Sequence, residues 1–247
     1  MAEELAALPE GEVHLYLARP DDLLAPGRAE AARALLTPDE IARHDRYHFE
    51  EGRLLNLATR VLARTVLSRF EPVAPAGWRF VPGPHGRPEI EGHPTALRFN
   101  LSNTRGLVVC AVARGAEVGV DVERLDRRAP LDVADRFFAR AEVAELRALP
   151  PDRQPSRFFD YWTLKESYIK ARGLGLALPL GKFAFVISEG QPPRVEIDPS
   201  VGDDGSRWQF TQLEPTPEHR VAVCAERSAP GMNPRVVPRW WPLLPGA

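Results

Sequence analysis

Val118-Gly119-Val120-Asp121-Val122-Glu123 alternates apolar residues with small or acidic ones. A period of two is the mark of a β-strand with one face in a core. Val118, Val120 and Val122 form the apolar face; Gly119, Asp121 and Glu123 form the other. Two carboxylates side by side on one strand face repel unless something positive joins them. Mg²⁺ suits such a pair, because it prefers oxygen ligands and takes one or two protein carboxylates together with phosphate and water. The simpler alternative is a strand end emerging into solvent, with Arg124 offsetting the charge.

Downstream lies Trp162-Thr163-Leu164-Lys165-Glu166-Ser167-Tyr168-Ile169-Lys170, within a helical stretch over residues 155–172 that Gly173 stops. Glu166 and Lys170 are four apart and share a face, with Trp162 one turn earlier on the same side. Such a pair is commonly an ordinary surface pair. Here Phe158, Phe159, Tyr161, Trp162 and Tyr168 wrap the helix, so it is expected to be buried on more than one side. Charges on a buried helix need a partner such as a metal or a phosphate.

Working outward, strands are expected at 13–17, 78–81, 97–101, 107–114, 118–123, 183–187, 194–197, 208–213 and 220–225. Helices are expected at 50–70, 131–138, 140–149 and 155–172. Thr37-Pro38-Asp39-Glu40 reads as a helix start. Residues 108–114 resemble 221–227, each lying downstream of a long helix. This suggests two halves of similar build, with boundaries at 1–116 and 117–227 and a Pro- and Trp-rich tail at 228–247 that docks on the body or contacts a partner.

Composition narrows the function. Of 247 residues, 44% are hydrophobic and 27% charged, which excludes wholesale disorder. With 32 basic against 34 acidic residues, nothing supports nucleic-acid binding by bulk electrostatics. Lys165, Lys170 and Lys182 are the only lysines in an arginine-rich chain. Two cysteines make neither a disulfide scaffold nor a Cys-rich zinc site. No membrane-length apolar run or secretory leader is read, so a cytoplasmic location away from membranes is expected. His44 and His48 have zinc-ligand spacing but no evident third ligand. Gly173-Leu174-Gly175 follows a helix, not a strand, and so is no dinucleotide fingerprint. Arg43, Arg46, Arg53 and Arg60 are candidate phosphate ligands, because the guanidinium fork donates parallel hydrogen bonds; chance clustering among so many arginines is the alternative. Gly83-Pro84-His85-Gly86-Arg87-Pro88 is a rigid turn.

These pieces in this order resemble the 4′-phosphopantetheinyl transferase superfamily, in its larger, single-chain, two-lobed (surfactin-synthetase-activating) form. The resemblance runs from about Thr37 to Ala225. Its most specific parts are Gly119–Glu123 and Trp162–Lys170, followed by Gly173-Leu174-Gly175-Leu176. Gly86-Arg87-Pro88 and Phe99-Asn100-Leu101-Ser102-Asn103-Thr104 match more weakly. The resemblance implies an α+β fold, a pseudo-dimer of two similar α/β lobes with coenzyme A in the cleft between them. It implies transfer of the phosphopantetheine arm of coenzyme A to a serine of an apo carrier protein, releasing 3′,5′-ADP. Asp121, Glu123 and Glu166 would hold Mg²⁺. Glu166 would also take the serine proton, and Lys170 would neutralise charge on the phosphates; with Asp121 these are the expected catalytic residues. Arg43, Arg46 or Arg53 would hold the 3′-phosphate, and Arg87, Ser102, Asn103 and Thr104 would line the coenzyme A site.

One departure stands out. The family commonly has His at the position of Asn103, and an amide cannot carry positive charge. Arg124, Arg127, Arg128, Arg136 and Arg140 could greet an acidic carrier protein; surface solubility is the plainer account. A homologue that binds coenzyme A or carrier protein with little turnover is the alternative to an active transferase, and a Mg²⁺-dependent nucleotide hydrolase is a third reading. The apparent duplication implies a monomer.

Overall fold

A computed structural model describes residues 5–25, 27–229 and 231–241. The strands of the first half are β1 (Glu12–Ala18), β2 (Arg79–Pro82), β3 (Pro88–Glu91), β4 (Leu97–Thr104) and β5 (Leu107–Arg114). Its helices are α1 (Pro20–Leu23), α2 (Ala29–Arg33), α3 (Pro38–His44) and α4 (Glu50–Leu67). The second half has β6 (Val118–Arg124), α5 (Ala134–Phe137), α6 (Arg140–Ala148), α7 (Gln154–Arg172), β7 (Phe183–Val186), β8 (Arg194–Ile197), β9 (Trp208–Thr216) and β10 (His219–Glu226). A last strand, β11 (Arg235–Trp240), follows. The chain is thus α+β. No helix among the described residues is long and apolar enough to cross a membrane.

Local chemistry explains the helix ends. Thr37 and Glu40 form a reciprocal capping box at α3, each side chain bonding the other's main-chain N–H. Pro155 sits in the first turn of α7, where a missing N–H costs nothing. Gly173 ends α7 at φ +63°, a left-handed conformation that glycine adopts without strain.

Two sheets carry the architecture. The first has strand order β11-β1-β5-β4, and the second β6-β10-β9. Alternation along each strand splits its side chains between two cores. On one face of the first sheet, Tyr16, Val108, Cys110 and Val112 pack with Leu57, Val61, Leu62 and Val66 of α4. On one face of the second, Phe210, Ala222 and Cys224 pack with Phe158, Tyr161, Leu164 and Tyr168 of α7. The remaining faces meet: Leu15, Leu17, Val109 and Ala111 pack against Val118, Val120, Val122, Val221 and Val223. The layers therefore run helix, sheet, sheet, helix. Each Val or Leu buried in the central layer contributes about 1.5–3 kcal/mol.

Where the sheets adjoin, β4 faces the free edge of β6 without pairing to it by main chain. Asn100 Oδ1 instead accepts from Val120 N at 2.9 Å, and Ser102 Oγ accepts from Val122 N at 3.3 Å. Two side chains thereby satisfy main-chain donors that burial would leave unpaired.

Three differences from the sequence reading stand out. First, β3 pairs with β2 as a hairpin, and 131–138 breaks into a 3₁₀ turn and the short α5, with Phe138 extended. Second, α1 and α2 are too short for periodicity to register. Third, the segment 228–247 contains β11, which pairs in parallel with β1 from Glu12↔Arg235 to Leu17↔Trp240. Pro238 is tolerated there because β11 is an edge strand. Residues 230 and 242–247 of that segment lie outside the described residues.

Gly119 sets how closely α7 lies on β6. A Cβ at this position would sit 2.1 Å from Ser167 O and 2.4 Å from Ala171 N, both main-chain atoms of the helix. Backbone cannot swing aside as a side chain can. Gly119→Ala is expected to lower unfolding stability by at least about 1–3 kcal/mol, the usual range for overpacking. Urea unfolding checks this, and a change below ~0.5 kcal/mol would contradict the close contact.

Candidate functional site

Because Gly119, Asp121 and Glu123 share the face of β6 that meets α7, the two carboxylates are carried toward that helix. Asp121 is 5% exposed. Lys170 Nζ donates to its Oδ1 at 2.6 Å, and Ser102 Oγ donates to the same oxygen at 2.9 Å. Lys170 also reaches Ser102 Oγ at 3.1 Å. A hydroxyl has one donor and two acceptor lone pairs. Ser102 spends all three on Asp121, Lys170 and Val122. Asp121 Oδ2 is buried with no hydrogen-bond partner.

Glu166 lies one turn before Lys170 on α7, in range of the same charge. Burial pushes its carboxyl above the usual carboxylate range, the Asp121 charge pushes it further, and Lys170 opposes. Glu123 behaves alike: burial first and Asp121 second raise it, against Arg127 and Lys170. Arg127 Nη2 holds Glu123 Oε2 at 2.8 Å. Asp121 thus lies in electrostatic range of both Glu123 and Glu166 and makes each costlier to ionise.

Among the described residues no three His, Cys, Asp or Glu side chains already converge in ligating geometry. The donor set nonetheless fits a hard divalent cation. It is all carboxylate oxygen, Asp121 has an orphaned oxygen, and mutual repulsion is the field a cation relieves. Lys170 now supplies part of that positive charge.

Beside these groups lies a cavity of about 290 Å³, lined by His85, Arg87, Asn100, Glu166, Lys170 and Gly175 among others. That volume is near the lower end for a ligand pocket. It joins the β2–β3 turn of the first half to α7 of the second. Arg87 fixes this junction: its guanidinium pairs with Glu117 at 2.7 Å and donates to Ala171 O at 3.2 Å near the end of α7.

The structure separates the expected arginines. Arg43, Arg60 and Arg79 line a second cavity of about 480 Å³ with Thr37, Glu40 and Phe80. Arg46 and Arg53 are exposed and are not among its lining residues. Burial lowers the Arg60 pKa, and Arg43 nearby adds to the effect, while Glu40 opposes both. An anion in this cavity would relieve the two cations together. Asn103 and Thr104 end β4; Asn103 is exposed, Thr104 is half-buried, and neither lines the cavity beside Glu166. Arg105 is 74% exposed and pairs with Glu51 at 3.5 Å.

The two lysines of α7 differ sharply. Lys165 is sealed, its Nζ bonded to Glu142 at 2.7 Å, Leu180 O at 2.9 Å and Phe183 O at 2.7 Å. Its three donors are spent, so it has nothing to offer a substrate. Lys170 is the lysine that reaches the site. His85, Asn100 and Arg79 had no assigned role in the sequence reading, whereas Arg60 was already a candidate phosphate ligand. Period two already placed Asn100 on the face of Ser102; the hairpin that brings His85 and Arg79 to the cavities has no comparable signal.

Comparison with known proteins adds the following. Residues 117–224 match the family described as the 4′-phosphopantetheinyl transferase superfamily. A 4′-phosphopantetheinyl transferase of Bacillus subtilis is 30% identical over 212 residues, covering 85% of this chain and 90% of that protein. The 4′-phosphopantetheinyl transferase HetI of a Nostoc species is 32% identical over 218 residues, covering 86% of each. Among solved structures, the holo-[acyl-carrier-protein] synthase of Thermotoga maritima is 22% identical with a TM-score of 0.37, covering 44% of this chain and 62% of that one.

Proposed function

This chain belongs to the 4′-phosphopantetheinyl transferase superfamily, and on that premise we propose the following reading of its site. The enzyme transfers the 4′-phosphopantetheine arm of coenzyme A to a serine of an apo carrier protein and releases 3′,5′-ADP. The observation that carries the reading is the meeting of Asp121 on β6 with Glu166 and Lys170 on α7 beside an inter-half cavity.

Asp121, Glu123 and Glu166 would hold a divalent cation, Mg²⁺ by the chemistry of its donors. That cation, when bound, offsets charge on the diphosphate and helps the nucleotide leave. The remaining work belongs to side chains. The serine oxygen attacks the β-phosphorus, the bond to the leaving nucleotide phosphate breaks, and the serine proton passes to Glu166. Glu166 lines the cavity, and a carboxylate within reach of the serine hydroxyl serves as a general base. Lys170, already oriented by Ser102, neutralises charge developing on the phosphate oxygens.

The same reading extends to the fold. The order β1, α4, β4, β5 recurs as β6, α7, β9, β10, and the sheet orders β1-β5-β4 and β6-β10-β9 correspond. This correspondence supports a pseudo-dimer of two lobes, 1–116 and 117–227, with coenzyme A across the seam. The extension of the first sheet by β11 attaches the tail to the first lobe. We read the protein as a cytoplasmic monomer, with an acidic carrier approaching the arginines that follow β6.

Arg43, with Arg60 and Arg79, receives the 3′-phosphate; the cavity they share favours Arg43 over Arg46 and Arg53. Arg43→Ala is expected to weaken use of coenzyme A by roughly tenfold or more, as for loss of a hydrogen bond to a charged group. Dephospho-coenzyme A, which lacks that phosphate, is expected to be used equally by both proteins. An equal loss on both substrates would remove Arg43 from this role.

Mass spectrometry of an apo carrier protein incubated with coenzyme A, Mg²⁺ and the enzyme tests the activity. A gain of one phosphopantetheine supports the transferase. Binding of coenzyme A with no gain, across several carriers, supports a homologue with little turnover. Cleaved nucleotide with unmodified protein supports a hydrolase.

A further inference from the structure

Asn100 and Ser102 occupy the same face of β4, and both bond the edge of β6. Their remaining capacity differs. The Ser102 hydroxyl is saturated by Asp121, Lys170 and Val122. Asn100 is 4% exposed, and its Oδ1 accepts from Val120 N at 2.9 Å. A main-chain N–H can only donate, so the atom facing it must be the oxygen. That fixes the orientation of the amide and turns Nδ2 the other way. Among the described residues Nδ2 has no hydrogen-bond partner, and it is not among the polar atoms sealed away from solvent. Asn100 lines the cavity that Glu166, Lys170 and His85 also line. Two N–H donors on a nearly buried amide therefore have one direction left, into that cavity. A donor left unpaired by the chain at a cavity wall is available to a bound acceptor.

We propose that Asn100 is a further substrate-binding residue, whose Nδ2 donates to an oxygen of the coenzyme A diphosphate. The proposal rests on the transferase reading given above. The neighbouring groups select the acceptor. Lys170 draws anionic oxygen, and the carboxylates require a cation that itself prefers phosphate oxygen. A diphosphate presents several acceptors at once, so one can meet the amide. Ser102 then positions Asp121 and Lys170, while Asn100 touches the substrate.

The test is Asn100→Asp in the full chain. A carboxylate still accepts from Val120 N–H, so the bond across the seam is retained, while the donor is lost and a charge is added beside Glu166. Transfer efficiency, kcat/KM for coenzyme A, is expected to fall about tenfold to a hundredfold, the loss for a hydrogen bond to a charged acceptor. Dephospho-coenzyme A should show the same loss, because it keeps the diphosphate. Efficiency within twofold of the parent protein would overturn the proposal. A second measurement does not depend on the variant's folding. In the wild-type protein, the ¹⁵N side-chain resonances of Asn100 are expected to shift on adding inorganic pyrophosphate with Mg²⁺. If they stay fixed while coenzyme A binds, the diphosphate contact is refuted. Absence of transfer by the wild-type chain would sink the parent reading instead, and the pyrophosphate shift would still judge Asn100.

Discussion

Asp121→Asn is expected to lower the rate of phosphopantetheine transfer by at least about 10²–10³, with kcat taking most of the loss. The side chain keeps its shape, and the oxygen that accepts from Lys170 and Ser102 is preserved. What disappears is the charge and the orphaned second oxygen. Removing one preorganised electrostatic stabiliser from a reacting centre costs about 2.7–4 kcal/mol in the barrier, and a phosphoryl centre depends on such stabilisation more than on covalent chemistry. The variant should fold normally, since Gly119, Val120 and Val122 hold β6 in place. Timed mass spectrometry of carrier modification measures the effect. If Asp121 served only to anchor Lys170, the asparagine would suffice and the rate would fall by no more than a few-fold.

Lys165→Met is expected to reduce unfolding stability by about 3–5 kcal/mol, the cost of breaking a buried ion pair by removing one partner. Neither Glu142 nor Lys165 has measurable side-chain exposure. Burial raises the Glu142 pKa and lowers that of Lys165, and each partner opposes the shift in the other. Glu142 further accepts from Ala139 N and Phe185 N, both at 2.8 Å. The pair therefore ties α6, α7 and β7 together. Domains are stable by only about 5–15 kcal/mol in total, so the loss is a large fraction. The double variant Glu142→Gln with Lys165→Met should recover part of it, because no unpaired charge remains. Turnover by whatever fraction of Lys165→Met stays folded should be close to normal. A catalytic role for Lys165 would reverse this pattern, with stability kept and turnover lost. Urea unfolding beside rates measured well below the midpoint separates the two.

The strand at 118–124 and the helix at 154–172 were legible because alternation and aromatic wrapping are local signals. Those same signals assign faces. Asp121 and Glu123 belonged together by period two, and Glu166 with Lys170 by the helical repeat. What lies opposite a face is not local. Nothing near Ser102 announces that its hydroxyl joins Asp121 to Lys170, and nothing near Lys165 announces Glu142. The resemblance offered Arg43, Arg46 or Arg53 for the 3′-phosphate and left the choice among them open. Burial and the turn of α4 bring Arg60, already a candidate phosphate ligand, beside Arg43, and the β2–β3 hairpin adds Arg79. The strand β11 escaped notice because its proline and tryptophans read as loop, whereas a parallel edge position accommodates both.

A Mn²⁺ titration followed by electron paramagnetic resonance, in the presence of coenzyme A, tests most directly whether acidic side chains from β6 and α7 make one cation site. One site is predicted for the wild-type chain. Asp121→Asn and Glu166→Gln are each predicted to weaken it by well over tenfold, since even indirect supports of a metal ligand are worth ten- to a hundredfold. Wild-type affinity in either variant would contradict a shared site.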